Sequence, residues 1–333
     1  MATYDLIALA DRAAWEVALE GVSHGFHSTW DFARATQLTT GHPAYLFHWT
    51  DGQSQVACSL VERPAGDGHL DLATPSGLAG FAGTARWSDV EPYWNELVRA
   101  RGYVSAYIGL HPLFAPAGLG TARRPPTSIY ALDLRAGRAE LLARMDKSRR
   151  RELRGWEDRR RDFVVDRDAV GEFLVRTHEP YMRSAGARGP HLVSESLLSL
   201  CRSERCIAVG AAPGGEIEAA YLFSYTSHAG DWLLSVAVPE GRRHNTDLLW
   251  FGVNELVARD VPVLNLGGGV RENDPIARAK QRLRPARLSL KSLREVYRPQ
   301  VYAELCRLAA VAPSSLDGYF PAYRAPAPTE SVH

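Results

Sequence analysis

The chain has 333 residues, a length more typical of two domains than of one. Hydrophobic residues (45%) and charged residues (23%) occur as in ordinary globular proteins, and a net charge of +1 excludes a global preference for nucleic acid or membranes. The four cysteines have neither metal-ligand spacing nor the density of a disulfide scaffold, so no metal site is predicted. No segment approaches the roughly 18 apolar residues of a membrane span, and the N-terminus does not resemble a signal peptide. We therefore expect a cytoplasmic protein.

The first half of the chain opens with helical patterns and continues with strands. Asp51-Gly52 is a strong hairpin signal between two of these strands. A loop with strand fragments, LDLATPSGLAG, follows the hairpin. In chain order, the predicted elements are helices over 11–19 and 30–36, strands over 43–49 and 53–62, a helix over 90–99, and strands over 103–110 and 128–133.

The second half repeats this order, with Pro213-Gly214-Gly215 as its hairpin signal. Its predicted elements are a basic helix over 139–161, a strand over 163–165, helices over 169–183 and 194–202, strands over 206–212, 216–226 and 231–238, a helix over 247–259, and a strand over 261–266. A hairpin, a central strand, a helix and a further strand make up the core order of the GNAT acyltransferase fold. The sequence therefore predicts an α/β protein with two tandem GNAT-like domains, whose mixed sheets are flanked by helices.

These domains are expected at residues 1–125 and 126–290, the second carrying the catalytic motif. Residues 291–333 are predicted to form a C-terminal segment that packs back on the first domain. Its Pro-, Ala- and Ser-rich end is expected to be disordered from about residue 325.

The segment LNLGGGVRENDPIARAK, from Leu264 to Lys280, is the most informative in the chain. An apolar strand ends in Gly267, Gly268 and Gly269, where glycine allows a ligand to approach the backbone. A polar turn and a basic segment follow. The alternative interpretation is a plain Gly-rich turn between a strand and a helix.

The order of these motifs resembles that of the Fem-type (FemABX) aminoacyltransferases and the wider tandem GNAT-like superfamily. The resemblance runs from about His27 to Leu305. It rests on HSTWDFAR, LATPSG, MDKSRRRELR, NLGG with the following Asp274-Pro275 and Lys280, and RPQVYAEL. It implies transfer of an aminoacyl group from aminoacyl-tRNA to an amine of a peptidoglycan precursor, a small peptide or an antibiotic-type acceptor, without a further cofactor.

The resemblance also implies roles for particular residues. Lys280 corresponds to the family lysine beside the donor, where a cation stabilises the developing negative charge. His111 stands where the peptidoglycan enzymes carry Asp, and an imidazole there could accept the amine proton. The alternatives are a solvated helix lysine and a core histidine. The remaining candidates for substrate binding are Trp30, Arg34, Arg183, Arg188, Gly267, Gly268, Gly269, Arg271 and Asp274.

Two basic clusters stand out in an otherwise neutral chain. Clustered Arg and Lys suit a phosphate backbone, so these residues are candidates for holding a tRNA acceptor stem. The alternative is a solvated amphipathic helix in an Arg-rich protein. The candidate tRNA-binding residues are Lys147, Arg149, Arg150, Arg151, Arg154, Arg282 and Arg284.

Two other classes of function stay open. GNAT acetyltransferases bind the CoA pyrophosphate with a Gly-rich loop before a helix, and the corresponding segment here, VPEGRRHNTDLLW, has Gly241 but Asn245 and Thr246 at the next positions. An acyl-CoA-dependent N-acyltransferase is therefore less favoured than a tRNA-dependent one. The third class is a non-catalytic GNAT-like scaffold. The sequence does not fix an oligomeric state.

Overall fold

The computed structural model describes residues 1–120, 128–184, 192–269, 274–313 and 318–325. The strands are β1 (Thr3–Ala8), β2 (Ala44–Thr50), β3 (Gln55–Gly66), β4 (His69–Ala73), β5 (Ala82–Gly83), β6 (Ser105–Leu110), β7 (Ser128–Asp133), β8 (Phe163–Val164), β9 (Cys206–Ala211), β10 (Ala219–Tyr225), β11 (Gly230–Ala237), β12 (Val263–Asn265), β13 (Ala286–Ser289) and β14 (Lys291–Val296). The helices are α1 (Arg12–Leu19), α2 (Trp30–Thr40), α3 (Trp87–Arg101), α4 (Gly137–Arg144), α5 (Lys147–Glu152), α6 (Trp156–Arg159), α7 (Arg167–Ser184), α8 (Ser194–Arg202), α9 (Asn245–Val257), α10 (Pro275–Gln281) and α11 (Pro299–Leu308).

The chain forms two compact units. Unit one comprises Met1–Val22, His42–Pro125 and Leu290–His333, and unit two comprises Ser23–Gly41 and Pro126–Ser289. The expected division at residue 125 placed residues 23–41 in the first domain, and there the structure differs. α2 packs against α8, where Ser196 Oγ donates a hydrogen bond of 2.8 Å to the carbonyl of Ala35. Phe26 and Phe32 share a hydrophobic cluster with α7 and α8, which explains the grouping.

Each unit contains a mixed sheet. In unit one the strand order is β1-β2-β3-β4-β6-β14, with β5 paired to β3. In unit two it is β13-β7-β12-β11-β10-β9-β8. Among the described strands, each sheet has one parallel pair, β4 with β6 and β11 with β12. Both predicted hairpins are confirmed, since Thr50 pairs with Gln55 and Ala211 with Ala219.

The predicted single helix over 139–161 is wrong. The chain instead forms α4, α5 and α6, because Met145 adopts an extended conformation and Gly155 a left-handed one with φ +70°. Strands β1, β13 and β14 were not predicted. β14 pairs with β6 along its whole length, which adds residues 291–296 to the sheet of unit one.

The core of unit two packs α9 against the sheet. α9 is apolar on most of its surface, and Leu248, Trp250, Phe251 and Leu256 are buried in the main cluster. A side chain at Gly252 would collide with the ring of Phe223 on β10. The glycine therefore allows the middle of the helix to lie close to the sheet.

The parallel strands of unit one are covered by a glycine-containing segment. Gly80 N–H donates to the carbonyl of Gly109 at 2.8 Å, and Gly109 N–H donates to Thr74 Oγ1 at 3.1 Å. A Cβ at Gly109 would lie 2.5 Å from the Cα of Gly77. The backbone of residues 77–80 thus packs directly on the end of β6, with no room for a side chain.

This contact predicts the cost of adding one methyl group. We expect Gly109→Ala to lower the free energy of unfolding by about 1–3 kcal/mol, because backbone rather than a flexible side chain must move. Gly120→Ala is the matched control, since no atom of the described residues lies within 4 Å of a Cβ there. We expect it to change stability by less than about 0.5 kcal/mol. Equal unfolding midpoints for the two variants in denaturant titrations would contradict the packing argument.

Candidate functional site

The parallel strands β11 and β12 of unit two separate after a short pairing. They are in register only at Gly230 with Leu264 and Asp231 with Asn265. β11 then continues to Ala237, whereas β12 ends and the chain enters the glycine segment. Next to the separation lies a cavity of about 810 Å³, bordered by the middle of β11, the segment after β12, α10 and the first turn of α9.

The glycine segment forms one border of this cavity. Gly267 has φ +72°, in the left-handed region that favours glycine, and its N–H donates to Asn265 Oδ1 at 2.8 Å. A Cβ at Gly268 would lie 2.7 Å from the carbonyl oxygen of Ser128 on β7. Both glycines are therefore required by the backbone. Gly267 also lines the cavity.

Lys280 brings a cation to the cavity from α10. Asp274 caps this helix by accepting the N–H of Ala277 at 2.7 Å, so the turn before the helix fixes where Lys280 emerges. The lysine residue is only 9% exposed. Its Nζ donates to the carbonyl of Gly268 at 2.6 Å and lies 5.2 Å from the ring centroid of Trp232. Burial lowers the pKa of Lys280 to about 8, and the nearby charge of Asp274 only partly opposes this.

An aromatic wall lies beside Lys280. Trp232 stacks on Tyr221 of β10, with ring centroids 5.2 Å apart and an interplanar angle of 11°. Burial raises the pKa of Tyr221, so its phenol stays neutral at physiological pH. Leu249, Leu266 and Leu283 extend the apolar surface. A cation over an indole face in such surroundings is attracted to the ring quadrupole without being neutralised.

A second polar group lies where the first turn of α9 borders the cavity. Thr246 Oγ1 donates to Glu152 Oε2 at 2.7 Å, and Arg149 Nη1 donates to the same oxygen at 2.6 Å. Arg149 also contacts Thr246. Burial raises the pKa of Glu152, but the hydrogen bonds from Thr246 and Arg149 lower it more, and the net pKa is below its usual value. A carboxylate of this chain therefore occupies the positive end of the helix.

The two basic clusters predicted from the sequence lie next to each other. Asp146 joins them, since its N–H donates to the carbonyl of Arg282 at 3.0 Å and its carboxylate forms an ion pair of 2.7 Å with Arg284. Four cations of the first cluster, together with Ser148, line a separate surface concavity of about 520 Å³, which we call the basic concavity: Lys147, Arg150, Arg151 and Arg154. Arg149 points instead to the main cavity.

Arginines further along the same segment are neutralised by acidic partners. Arg159 forms two hydrogen bonds of 2.7 Å with the carboxylate of Asp247. Arg160 and Arg161 form ion pairs with Glu157 and Asp158, respectively. By contrast, no ion pair joins the four cations of the basic concavity to any part of the chain that the structure describes.

Arg34 and Arg183, two further candidates for substrate binding, lie away from the cavity. Arg34 on α2 is exposed and sits over the ring of Trp30, 5.3 Å from its centroid. Arg183 on α7 forms an ion pair with Glu179. Neither arginine is among the residues that line the cavity. Arg188 and Arg271 lie outside the described residues, as does the C-terminal tail from residue 326.

His111 belongs to unit one, directly after β6. It is 2% exposed, its Nδ1 accepts the N–H of Leu113 at 3.3 Å, and its ring stacks on Phe114 with centroids 4.3 Å apart. These contacts are those of a histidine that shapes the turn after a strand.

The aromatic wall beside Lys280 and the polar group at the first turn of α9 were not predicted from the sequence. Trp232 and Tyr221 lie in strands whose alternation does not distinguish a cavity wall from core, and Glu152 reads as one acid among many arginines. Within the described residues, no group of three or more His, Cys, Asp or Glu could hold a metal ion, and no helix is both long and apolar enough to cross a membrane.

Comparison with known proteins gives a result at the level of fold. No family model and no curated protein matches the sequence. The crystal structure of FemX superposes with a TM-score of 0.67 at 10% identity, over 91% of this chain and 99% of FemX. The chain has the fold of FemX.

Two further solved structures share this fold. The C-terminal domain of a putative lysylphosphatidylglycerol synthetase from Agrobacterium fabrum matches with a TM-score of 0.55 at 12% identity, over 93% of this chain and 98% of that one. L-PGS from Bacillus licheniformis matches with a TM-score of 0.51 at 12% identity, over 86% and 92%. The predicted Fem-like, tandem GNAT-like α/β fold is thus confirmed.

Lys280 can be observed directly, because the whole chain contains three lysines, Lys147, Lys280 and Lys291. We expect one of the three 13Cε lysine signals to titrate at about pH 8 in NMR spectra, owing to the burial of Lys280. Loss of that signal in Lys280→Arg assigns it, and Lys291→Arg is the matched control. A Lys280 signal that titrates at the ordinary value of about 10.4 would contradict its burial.

Proposed function

We propose that this chain is an aminoacyltransferase, which moves an aminoacyl group from aminoacyl-tRNA to an amine of a peptidoglycan precursor, a small peptide or an antibiotic-type acceptor. The observation that carries the proposal is the desolvated Lys280 at the cavity between β11 and β12. The FemX fold and the chemistry implied by the sequence resemblance agree with it.

Aminoacyl transfer needs no nucleophilic side chain, because the donor ester is already activated. The acceptor nitrogen attacks the ester carbonyl carbon, the bond from that carbon to the ribose oxygen breaks, and the nitrogen's proton leaves to the ribose oxygen or to solvent. Negative charge develops on the carbonyl oxygen. The Lys280 ammonium has three N–H donors and gives one to Gly268, so others can stabilise that charge.

The basic concavity supports a tRNA donor over a small one. Its exposed cations stand beside Arg282 and Arg284 in the same unit as Lys280, and clustered cations bind a phosphate backbone with release of counterions. Arg159, Arg160 and Arg161 are neutralised by acids, so the cations of residues 147–161 that have no ion pair among the described residues are those of the basic concavity. This distribution suits a polyanion better than a single anionic group.

An acyl-CoA donor is the second candidate, since Arg242 and the first turn of α9 line the cavity. A pyrophosphate there would meet the helix N-terminus and two arginines. It would also meet Glu152, whose carboxylate already accepts from Thr246 and Arg149. This acidic group opposes a second anion at the same place, so we rank the tRNA donor first.

The deciding experiment is the dependence of product formation on RNA. Purified protein is given aminoacyl-tRNA and a panel of amine acceptors, and amide products are detected by mass spectrometry. We expect product that disappears when the tRNA is first digested with ribonuclease. Product from acyl-CoA that resists ribonuclease would reverse the order of the two candidates. Binding and turnover of neither donor would favour the scaffold.

The pH dependence of turnover tests the role of Lys280. The ammonium is charged below its pKa of about 8 and neutral above it, so we expect kcat/KM to fall as pH rises through this value. Lys280→Arg stays charged throughout and should lack the falling limb, while Lys280→Ala should lose about 100-fold in kcat, as when an oxyanion donor is removed. Deprotonation of the acceptor amine raises activity in both proteins, so only a rise through pH 8 that Lys280→Arg abolishes would assign Lys280 as a base.

The basic concavity is tested by the salt dependence of tRNA binding. Arg150→Ala combined with Arg151→Ala removes two phosphate contacts, so the slope of log K against log salt should become shallower by roughly 1.8, at about 0.9 per contact. Arg160→Ala with Arg161→Ala is the matched control, because both arginines are paired with acids. Equal slopes for the two double variants would place the RNA elsewhere.

A further inference from the structure

Two buried polar side chains face each other where β11 and β12 separate. Asp231 is 1% exposed and Asn265 is 6% exposed. They are register partners across the parallel pair, and Asn265 Nδ2 donates to Asp231 Oδ1 at 2.8 Å. This hydrogen bond joins the two strands at their last residue pair in register, next to the cavity.

Asn265 uses both ends of its amide. While Nδ2 donates to Asp231, Oδ1 accepts the N–H of Gly267 at 2.8 Å. Gly267 has φ +72°, and the next carbonyl, that of Gly268, accepts the Lys280 ammonium at 2.6 Å. A continuous series of hydrogen bonds and backbone therefore runs from Asp231 through Asn265 to the partner of Lys280.

Burial of the Asp231 carboxyl group in this network opposes folding. Asp231 Oδ2 is buried and has no hydrogen-bond donor among the described residues, and His27 Nδ1, equally buried, lies 3.7 Å away. Burial lowers the pKa of His27, and the nearby charge of Asp231 opposes this lowering only in part. The ring of Phe32 packs against His27 at 4.5 Å between centroids. An incompletely satisfied carboxylate in apolar surroundings destabilises a fold, so its presence calls for a physical reason.

We propose that Asn265 is a positioning residue, held by Asp231, that sets the Gly268 carbonyl on which the Lys280 ammonium docks. This inference rests on the proposed function of Lys280. Only an amide can serve at this position, because a carboxylate could accept from Gly267 but has no proton to give Asp231. Asn265 borders no substrate position itself and acts through the glycine segment.

The test is a reciprocal exchange of the two side chains. Asn265→Asp sets two carboxylates against each other, and we expect kcat to fall about tenfold or more, as for a buried acceptor left without its donor, with the acceptor KM unchanged. Combining it with Asp231→Asn restores one amide and one carboxylate, since the new Asn can donate and the new Asp can accept from Gly267. We expect this double variant to recover most of the lost kcat.

Asn254→Asp is the matched control. Asn254 is another buried asparagine, on α9, whose Nδ2 donates to the carbonyl of Trp250. We expect this change to lower the Tm and leave kcat unchanged. If Asn265→Asp does not fold, the double variant carries the test. A double variant with wild-type Tm but the kcat of Asn265→Asp overturns the proposal, and so does an Asn265→Asp variant with wild-type kcat.

A readout independent of turnover separates this inference from the proposed function. The 13Cε signal of Lys280 should titrate at a different pH in Asn265→Asp, because the carbonyl that holds the ammonium has moved. Asn254→Asp should leave it in place. A wild-type protein that makes no product removes the proposed function, whereas an unshifted Lys280 signal in Asn265→Asp removes the positioning role.

Discussion

The candidate site depends on one constraint, the brevity of the parallel pairing between β11 and β12. Parallel strands exchange backbone hydrogen bonds only while they lie side by side, and these two do so over two residue pairs. Beyond Asp231 and Asn265 the strands separate. The glycine segment, the cavity and the place of Lys280 all follow from that separation, because each borders the space it opens.

The electrostatics of unit two divide into a buried part and an exposed part. Lys280 is desolvated and partnered by a carbonyl and an indole, so its charge is stabilised but not cancelled. Arg149 borders the same cavity and is neutralised by Glu152. The cations of the basic concavity lie at the surface and form no ion pair with the described part of the chain. In this arrangement the inner cation suits chemistry and the outer ones suit binding, since exposed charges are screened by salt and buried ones are not.

Each unit has its own mixed sheet with one parallel pair among the described strands, but the ends of these parallel strands differ between the units. In unit one, backbone from Gly77 to Gly80 packs on the end of β6, and Gly109 leaves no room for a side chain. In unit two, the corresponding separation borders a cavity of about 810 Å³. The same topology thus supports a filled strand end in one unit and an open one in the other. The difference lies in the segments that follow the parallel strands.

The sequence by itself determined the features that depend on neighbouring residues. Asp51-Gly52 and Pro213-Gly215 specify tight turns, the apolar pattern of 247–259 specifies a buried helix, and the glycines after Leu266 specify a strand end. The resemblance to Fem-type proteins then singled out Lys280. The helix over 139–161 was wrong because periodicity alone did not reveal the breaks at Met145 and Gly155.

Only the tertiary structure decided the contacts between distant parts of the chain. Asp231 and Asn265 are 34 residues apart, and Glu152 and Thr246 are 94 apart. The membership of residues 23–41 in unit two likewise depends on α8, far along the chain. Such partners are chosen by packing and by the need to satisfy buried polar groups, and neither leaves a periodic signal in the local sequence. The lowered pKa of Lys280 has the same origin, because burial is a property of the folded surroundings and not of the residue.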